Sequence, residues 1–158
     1  MSRASAYAAA TMTVTLTEAV TINSKDYGST QSFTIASIAN VDRRIITVTT
    51  TEATVMTFAA AMAGGTHIPA NVQYLRFTNL DDTNHIVLTF ANENDDETAI
   101  KLDKGRSLLL AGDASGGMAD MIDAKDSALS LSLGDLKSIT ADADTASCDM
   151  EIFVAETA

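Results

Sequence analysis

The side chains best suited to chemistry in this chain are few and stand far apart. The two histidines, His67 and His85, lack the HExxH-like spacing and the third ligand that a metal site needs. The segment 112–117 differs from the serine-protease sequence Gly-Asp-Ser-Gly-Gly by an inserted alanine. A nucleophilic serine also needs an adjacent base held by a third group. We therefore expect no catalytic residue, no cofactor and no metal ligand, and we do not expect an enzyme.

Acidic clusters are the other candidates for a chemical site. Asp81-Asp82, the run 92–97 and the run 142–144 all offer carboxylate or amide oxygens. Calcium takes six to eight such oxygens on a suitably curved loop, but the central glycine and final glutamate of an EF-hand are missing here. Two interpretations stay open: solvated acidic loops, or a weak calcium site.

The overall charge excludes some classes of partner. The 158 residues carry a net charge of −11, with a pI of about 4.3. Phosphate binding requires clustered lysine and arginine, so we expect no nucleic-acid partner. Anionic membrane surfaces are disfavoured for the same reason. The length is that of one domain with a sizeable core of its own.

Cysteine usage and the N-terminal composition bear on folding conditions. Cys148 is the only cysteine, which leaves no intrachain disulfide and no cysteine-based zinc site. It lies in an alternating run and is predicted to be a small buried hydrophobe on a strand. No apolar stretch is long enough to span a bilayer, and residues 1–10 lack the leucine-rich core of a signal peptide. These features predict synthesis and folding in a cytoplasm.

Short alternating runs dominate the chain. In the run 11–17, Met, Val and Leu alternate with four threonines, a period-two pattern typical of a sheet with one solvated face. The runs 72–79 and 85–90, joined by the polar segment 80–84, predict a hairpin. Further strands are predicted over 31–38, 43–51, 52–58, 98–102, 107–111, 137–140 and 148–155. Residues 39–42 are predicted to be a connection, 118–126 a short helical turn or irregular strand, and 127–133 an alternating run.

About eight to ten short strands without a helical period predict an all-β sandwich or barrel. We predict a single-domain antiparallel β-sandwich of jelly-roll type over residues 12–158, preceded by an extended N-terminal arm over residues 1–11. The Ala- and Ser-rich arm either docks on a neighbouring subunit or is a frayed terminus.

Four residues are candidates for protein–protein contact. Arg43 and Arg44 form the one tight basic pair in an acidic chain. Arginine is favoured at interfaces because its planar fork binds carboxylates with two hydrogen bonds. The pair either meets an acidic patch on a neighbour or is paired within the chain. Arg3 and Tyr7 are the corresponding candidates on the N-terminal arm.

Several segments of the chain resemble small structural proteins of tailed bacteriophages, in particular those of marine phages. The resemblance covers residues 12–111 and the C-terminal strand, and it is one of phrase rather than of a catalytic signature. The segments that carry it are 17–28 (TEAVTINSKDYG), 41–46 (VDRRII), 72–84 (VQYLRFTNLDDTN), 99–107 (AIKLDKGRS) and 149–156 (DMEIFVAE).

The resemblance implies a capsid decoration (cement) protein in the virion. Proteins of this kind are β-sandwiches or barrels on the outer capsid surface, frequently homotrimers, which clamp adjacent major capsid proteins together. The implied partners are thus the major capsid protein and copies of the chain itself. A tail-tube, tail-completion or fibre-associated virion protein is the alternative. A glycan-binding module is disfavoured by the absence of tryptophan.

Overall fold

The computed structural model describes residues 8–60, 66–112, 116–122 and 133–158. These parts of the chain form β-strands and one short 3-10 helix, Pro69–Asn71. The strands are β1 (Ala10–Glu18), β2 (Thr21–Ile22), β3 (Lys25–Asp26), β4 (Ser29–Val48), β5 (Ala53–Phe58), β6 (Thr66–His67), β7 (Val72–Asn79), β8 (Ile86–Asn92), β9 (Glu97–Leu102), β10 (Ser107–Ala111), β11 (Leu136–Ala143) and β12 (Cys148–Thr157). The predicted all-β class is confirmed.

Two five-stranded sheets pack face to face. Sheet 1 has the order β1-β4-β12-β7-β10, and sheet 2 has the order β6-β5-β11-β8-β9. All neighbours are antiparallel except the short pair β5 and β6. β2 and β3 form a separate two-stranded ladder. The predicted antiparallel β-sandwich is therefore confirmed.

The core lies between the sheets because each central strand turns alternate side chains inward. On β12, Met150, Ile152 and Val154 are fully buried in this core. Phe77 of sheet 1 meets Phe90 of sheet 2 edge to face, with ring centroids 6.2 Å apart. Cys148 is buried in the same cluster, as predicted, and burial raises the pKa of its thiol.

The predicted hairpin of residues 72–79 and 85–90 is wrong. β7 belongs to sheet 1 and β8 to sheet 2, so the loop between them crosses from one sheet to the other. Asn79 caps this loop by donating from Nδ2 to the carbonyl of Asn84 at 2.9 Å. A tight polar loop has the same kind of local sequence whether it joins two paired strands or crosses from one sheet to the other. The true partners, β12 and β11, come much later in the chain.

The predicted connection at residues 39–42 is also wrong, since β4 runs through it. β12 pairs with β4 from Ile38 to Val48, so its backbone groups are satisfied along that length. The strand bends instead at Ser37, whose φ of 61° lies in the left-handed region. This bend separates an inner half of β4, paired with β12, from an outer half, paired with β1.

Some predictions fall outside the described residues. Arg3 and Tyr7 of the predicted arm lie there, and β1 already begins at Ala10. Of residues 118–126, the described part forms turns and a single bridge from Ile122 to Gly134. Most of the run 127–133 is likewise outside. Within the described ranges, no helix is both long and apolar enough to cross a bilayer.

Candidate interaction surface

A two-stranded hairpin formed by residues 15–34 extends from the sandwich. It comprises the end of β1, the β2–β3 ladder and the start of β4, and every residue in it is exposed. Its tip is a two-residue turn in which Asn23 and Ser24 both have positive φ, the geometry that matches the twist of a hairpin. We call this element the projecting hairpin.

The hairpin ribbon has two chemically different faces. In an antiparallel pair, directly opposite residues share a face. Three such pairs, Thr13–Thr34, Thr15–Ser32 and Thr17–Thr30, make one face a continuous row of hydroxyls. The other face holds the pairs Met12–Ile35, Val14–Phe33, Leu16–Gln31 and Glu18–Ser29. It is apolar from Met12 to Leu16 and polar toward the tip, and we call it the apolar face.

The base of the apolar face packs on the outside of sheet 1. Val14 is buried there in a second cluster with Tyr74 and Ala155, and Met12 and Ile35 pack against it. Tyr74 itself meets Phe153 edge to face, with centroids 5.9 Å apart. The hairpin is therefore anchored at its base by apolar contacts and not only by strand pairing.

Beside Val14 and beyond it, the same face is covered only in part by the described parts of the chain. Leu16 is 58% exposed and Phe33 is 43% exposed. Val20, Ile22 and Tyr27 near the tip are exposed as well. An isolated two-stranded ribbon is marginally stable in water, and clustered exposed apolar side chains mark an interaction site. The projecting hairpin thus has the properties of an element that binds another surface.

The outside of sheet 1 carries a second exposed patch. The strand register puts Arg43, Phe153, Arg76 and Leu109 in one row across the sheet. Val41 lies in the next row on one side, and Ile45 and Glu151 lie in the next row on the other side. We call these seven residues the outer patch. Ile45 is 61% exposed, and Val41 and Leu109 are also exposed. The patch is apolar with a charged centre.

The charged centre is a carboxylate held by two arginines. Glu151 accepts from Nε and Nη2 of Arg43 at 2.8 and 2.7 Å, and from Nη2 of Arg76 at 2.5 Å. The hydrogen bond from Arg43 is the main cause that lowers the pKa of Glu151, against a smaller opposing effect of burial. The cluster of two arginines and one glutamate has a net charge of +1.

The two predicted interface arginines point to opposite sides of sheet 1. Arg43 lies on the outer patch with 66% of its side chain exposed. Arg44 turns inward and donates to the carbonyl of Val55 on β5 at 2.9 Å, and its Nη1 lies 3.2 Å from Asp42. Both are thus paired within the chain, and Arg44 joins the two sheets. An interface role for Arg43 stays a prediction.

One histidine lies in a buried polar cluster at the end of the sandwich where the hairpin begins. Nδ1 of His67 on β6 is 2.6 Å from Oε1 of Glu156, and Asn40 donates to Oε2 of Glu156 at 2.9 Å. Burial acts to raise the pKa of Glu156, but the hydrogen bonds from His67 and Asn40 outweigh it, so the pKa is lowered. His67 thus joins β12 of sheet 1 to sheet 2.

The other chemical candidates are dispersed. His85 lies 3.4 Å from Asp144. Residues 113–115, which include the serine of the Gly-rich segment, are outside the described ranges. In the parts of the chain that the structure describes, no three His, Cys, Asp or Glu side chains are grouped to hold a metal ion.

The acidic loops use their side chains to fold the backbone. Asp81 Oδ1 accepts from the backbone of Thr83 at 2.8 Å and of Asn84 at 2.6 Å, and these bonds lower the pKa of Asp81. Asn92 is buried and accepts through Oδ1 from the backbone of Asn94 and Asp96. Such local bonding is the usual reason for Asp and Asn in tight loops.

Charge is divided unevenly along the chain. Residues 1–60, which include the projecting hairpin and β4, hold four basic and four acidic side chains and are neutral overall. The whole excess of −11 therefore comes from residues 61–158. The projecting hairpin itself carries only Glu18, Lys25 and Asp26. The hairpin therefore carries little of the protein's acidic excess.

Sequence reasoning missed the exposed apolar face of the hairpin. The alternation in residues 11–17 predicted one apolar and one solvated face, and the apolar face of such a strand normally belongs to a core. The length of the hairpin could have indicated this exposure. Leu16 and Phe33 lie in strands that run out to a tip, where few other elements can cover these side chains. Glu151 gave no signal because its partners, Arg43 and Arg76, are far away in sequence.

Comparisons with known proteins do not identify a family. No protein-family model matches the chain, and no curated protein matches it significantly.

Proposed function

We propose that this chain is a structural virion protein of a tailed phage that binds the outer capsid surface as a homotrimer and stabilises the shell. The observation that carries the proposal is the projecting hairpin, on which all of residues 15–34 are exposed and whose apolar face carries the exposed side chains of Leu16 and Phe33. The proposal requires no catalytic residue, cofactor or metal. Its expected partners are the major capsid protein and copies of this chain.

We also infer that the sandwich is a jelly roll. Leaving aside the edge strands β1 and β6, sheet 1 has the order β4-β12-β7-β10 and sheet 2 the order β5-β11-β8-β9. Every connection along these eight strands except that from β8 to β9 crosses between the sheets, which supports two interleaved Greek keys. Viral capsid domains, lectins and cupins share that architecture, so the fold is compatible with the proposal without deciding it.

The mechanism is mechanical. The hairpin reaches a neighbouring subunit in the particle while the sandwich holds its base rigid through the cluster around Val14 and Tyr74. Many identical weak contacts around a closed shell add up by multivalency, because each bound site raises the effective concentration of the next. The shell then resists opening as one connected layer.

Binding to purified shells tests the proposal. We expect the protein to sediment with empty capsids, to raise the temperature at which they open, and to be found by cryo-EM on their outer surface between major capsid proteins. The variant Phe33→Asp should dissociate at a lower temperature than Ser32→Asp, its neighbour on the hydroxyl face. Location in the tail alone would contradict the proposal.

A tail-tube, tail-completion or fibre-associated protein is the second candidate. The hairpin also suits this candidate, because a subunit of a stacked or ring-shaped assembly has to reach its neighbours. The acidic excess of residues 61–158 would give a tube lumen that does not retain DNA. The same cryo-EM experiment separates the two candidates by position in the particle.

A further inference from the structure

We infer that the apolar face of the projecting hairpin of one copy docks on the outer patch of a second copy of this chain. The inference rests on the proposed function, because it names the neighbour that the hairpin binds. The contact joins two different surfaces, hairpin to patch. Such a heterologous contact generates a closed ring when the rotation between subunits closes.

The hairpin and the outside of sheet 1 already touch inside each subunit. The base of the hairpin already lies on the outside of sheet 1, where Val14 is buried with Tyr74 and Ala155. On the hairpin's apolar face, Phe33 lies beside this contact, opposite Val14, and Leu16 lies farther out. The outside of sheet 1 also continues past it, as the exposed Ile45 and Leu109. The two surfaces are complementary where they touch within a subunit, and both extend beyond that contact.

The hairpin and the outer patch have opposite net charges. The outer patch has a net charge of +1 from Arg43, Arg76 and Glu151, whereas the whole chain has −11. The projecting hairpin has a net charge of −1 from Glu18, Lys25 and Asp26. These two surfaces therefore attract each other weakly.

The residue types on the two surfaces suit an interface. Phe33 of the hairpin and Phe153, Arg43 and Arg76 of the patch belong to the aromatic and arginine types that are enriched in protein–protein interfaces.

Two variants separate hairpin from patch. We expect Phe33→Asp, on the hairpin, and Ile45→Asp, on the outer patch, each to weaken self-association about 30-fold or more, as loss of a hot spot does. Ser32→Asp on the hydroxyl face and Ala99→Asp on the outside of sheet 2 are the matched controls, and they should keep the wild-type mass. Sedimentation velocity and light scattering give the masses, and circular dichroism verifies folding.

Mixing the two variants decides the geometry. Phe33→Asp retains an intact patch and Ile45→Asp retains an intact hairpin, so an equimolar mixture should form a two-chain species although each variant alone is monomeric. A mixture that stays monomeric overturns the inference. Wild-type mass retained by Ile45→Asp overturns it in favour of hairpin-to-hairpin contact, and a wild-type protein that stays monomeric at high concentration overturns self-contact altogether.

The result is separable from the proposed function. Self-association is measured on the free protein, and shell binding is measured on capsids. A ring that forms in solution but does not bind shells contradicts the capsid role and leaves the hairpin–patch contact intact. If the protein binds shells but Phe33→Asp and Ile45→Asp self-associate as the wild type does, only the hairpin–patch contact is contradicted.

Discussion

At the scale of single residues, two buried carboxylates of β12 join this strand to its surroundings. Glu156 is 2% exposed and joins β12 to His67 of sheet 2 and to Asn40 of β4. Glu151 joins β12 to Arg43 and Arg76. A buried charge is costly unless it is paired and hydrogen-bonded. Both carboxylates meet this condition, and both have a lowered pKa.

The lowered pKa of Glu156 predicts a specific acid sensitivity. A carboxyl whose pKa is lower folded than unfolded contributes stability above its ordinary value of 4.5, and this stability is lost as the pH falls through the folded value. We expect Glu156→Gln to lower the free energy of unfolding by about 2 kcal/mol at neutral pH, because hydrogen bonds to a charged group are lost.

Urea unfolding between neutral and acid pH measures this effect. The wild type should lose stability below pH 4.5, and Glu156→Gln should lose less over the same range because its own contribution is already absent. Glu97→Gln, at an exposed position on β9, is the control and should follow the wild type. Parallel curves for Glu156→Gln and the wild type would show that Glu156 is not the group involved.

At the scale of elements, the bend in β4 decides where the hairpin lies. Ser37 takes a left-handed conformation between the two halves of the strand, and the β1–β4 register shifts nearby, between Ala10 and Met12. Bulges and bends of this kind re-aim a strand. The bend brings the hairpin base onto Tyr74 and Phe153 rather than letting β4 continue straight past the end of β12.

Substitutions at Ser37 should therefore reverse the usual strand preferences. Valine is favoured in regular strands but resists positive φ, so we expect Ser37→Val to destabilise the protein by about 1–2 kcal/mol, whereas Ser37→Gly is neutral or stabilising. The same change at Ser32, an exposed position in the same strand, is the control and should be close to neutral. Chemical unfolding measures all three, and equal costs for valine at both positions would argue against the bend.

At the scale of the whole molecule, the core and the interaction surfaces are separate. The core lies between the sheets, around Phe77, Phe90 and Ile152. The projecting hairpin and the outer patch lie on the outside of sheet 1. This arrangement lets apolar side chains remain exposed for a partner without weakening the packing that holds the sheets together.

Because the core and the outer patch are separate, we expect truncation of an apolar side chain to cost much stability in the core and little in the patch. Phe77→Ala should cost about 3–5 kcal/mol of stability because it leaves a cavity between the sheets. Leu109→Ala, on the outer patch, should cost less than about 0.5 kcal/mol in the free protein, as surface substitutions usually do. Thermal unfolding of the two variants at low concentration measures the difference, and a large loss for Leu109→Ala would mean that the patch is covered within the subunit.

The amino-acid sequence alone determined the fold class, most strand positions and the burial of Cys148, because these depend on local alternation. Pairing was not local: β7 and β8 read as a hairpin, yet their partners β12 and β11 lie far along the chain. The sequence also singled out Arg43 and Arg44 but could not tell which faced outward, since that depends on the register with β12.

The exposed apolar face was decided by the tertiary structure alone. The alternating pattern of β1 shows that Met12, Val14 and Leu16 share a face, and this was readable from the sequence. Whether that face is covered depends on where the bend at Ser37 places the ribbon and on how far sheet 1 extends beneath it. Whether a side chain is buried depends on what packs against its strand, and this cannot be derived from the sequence of the strand itself.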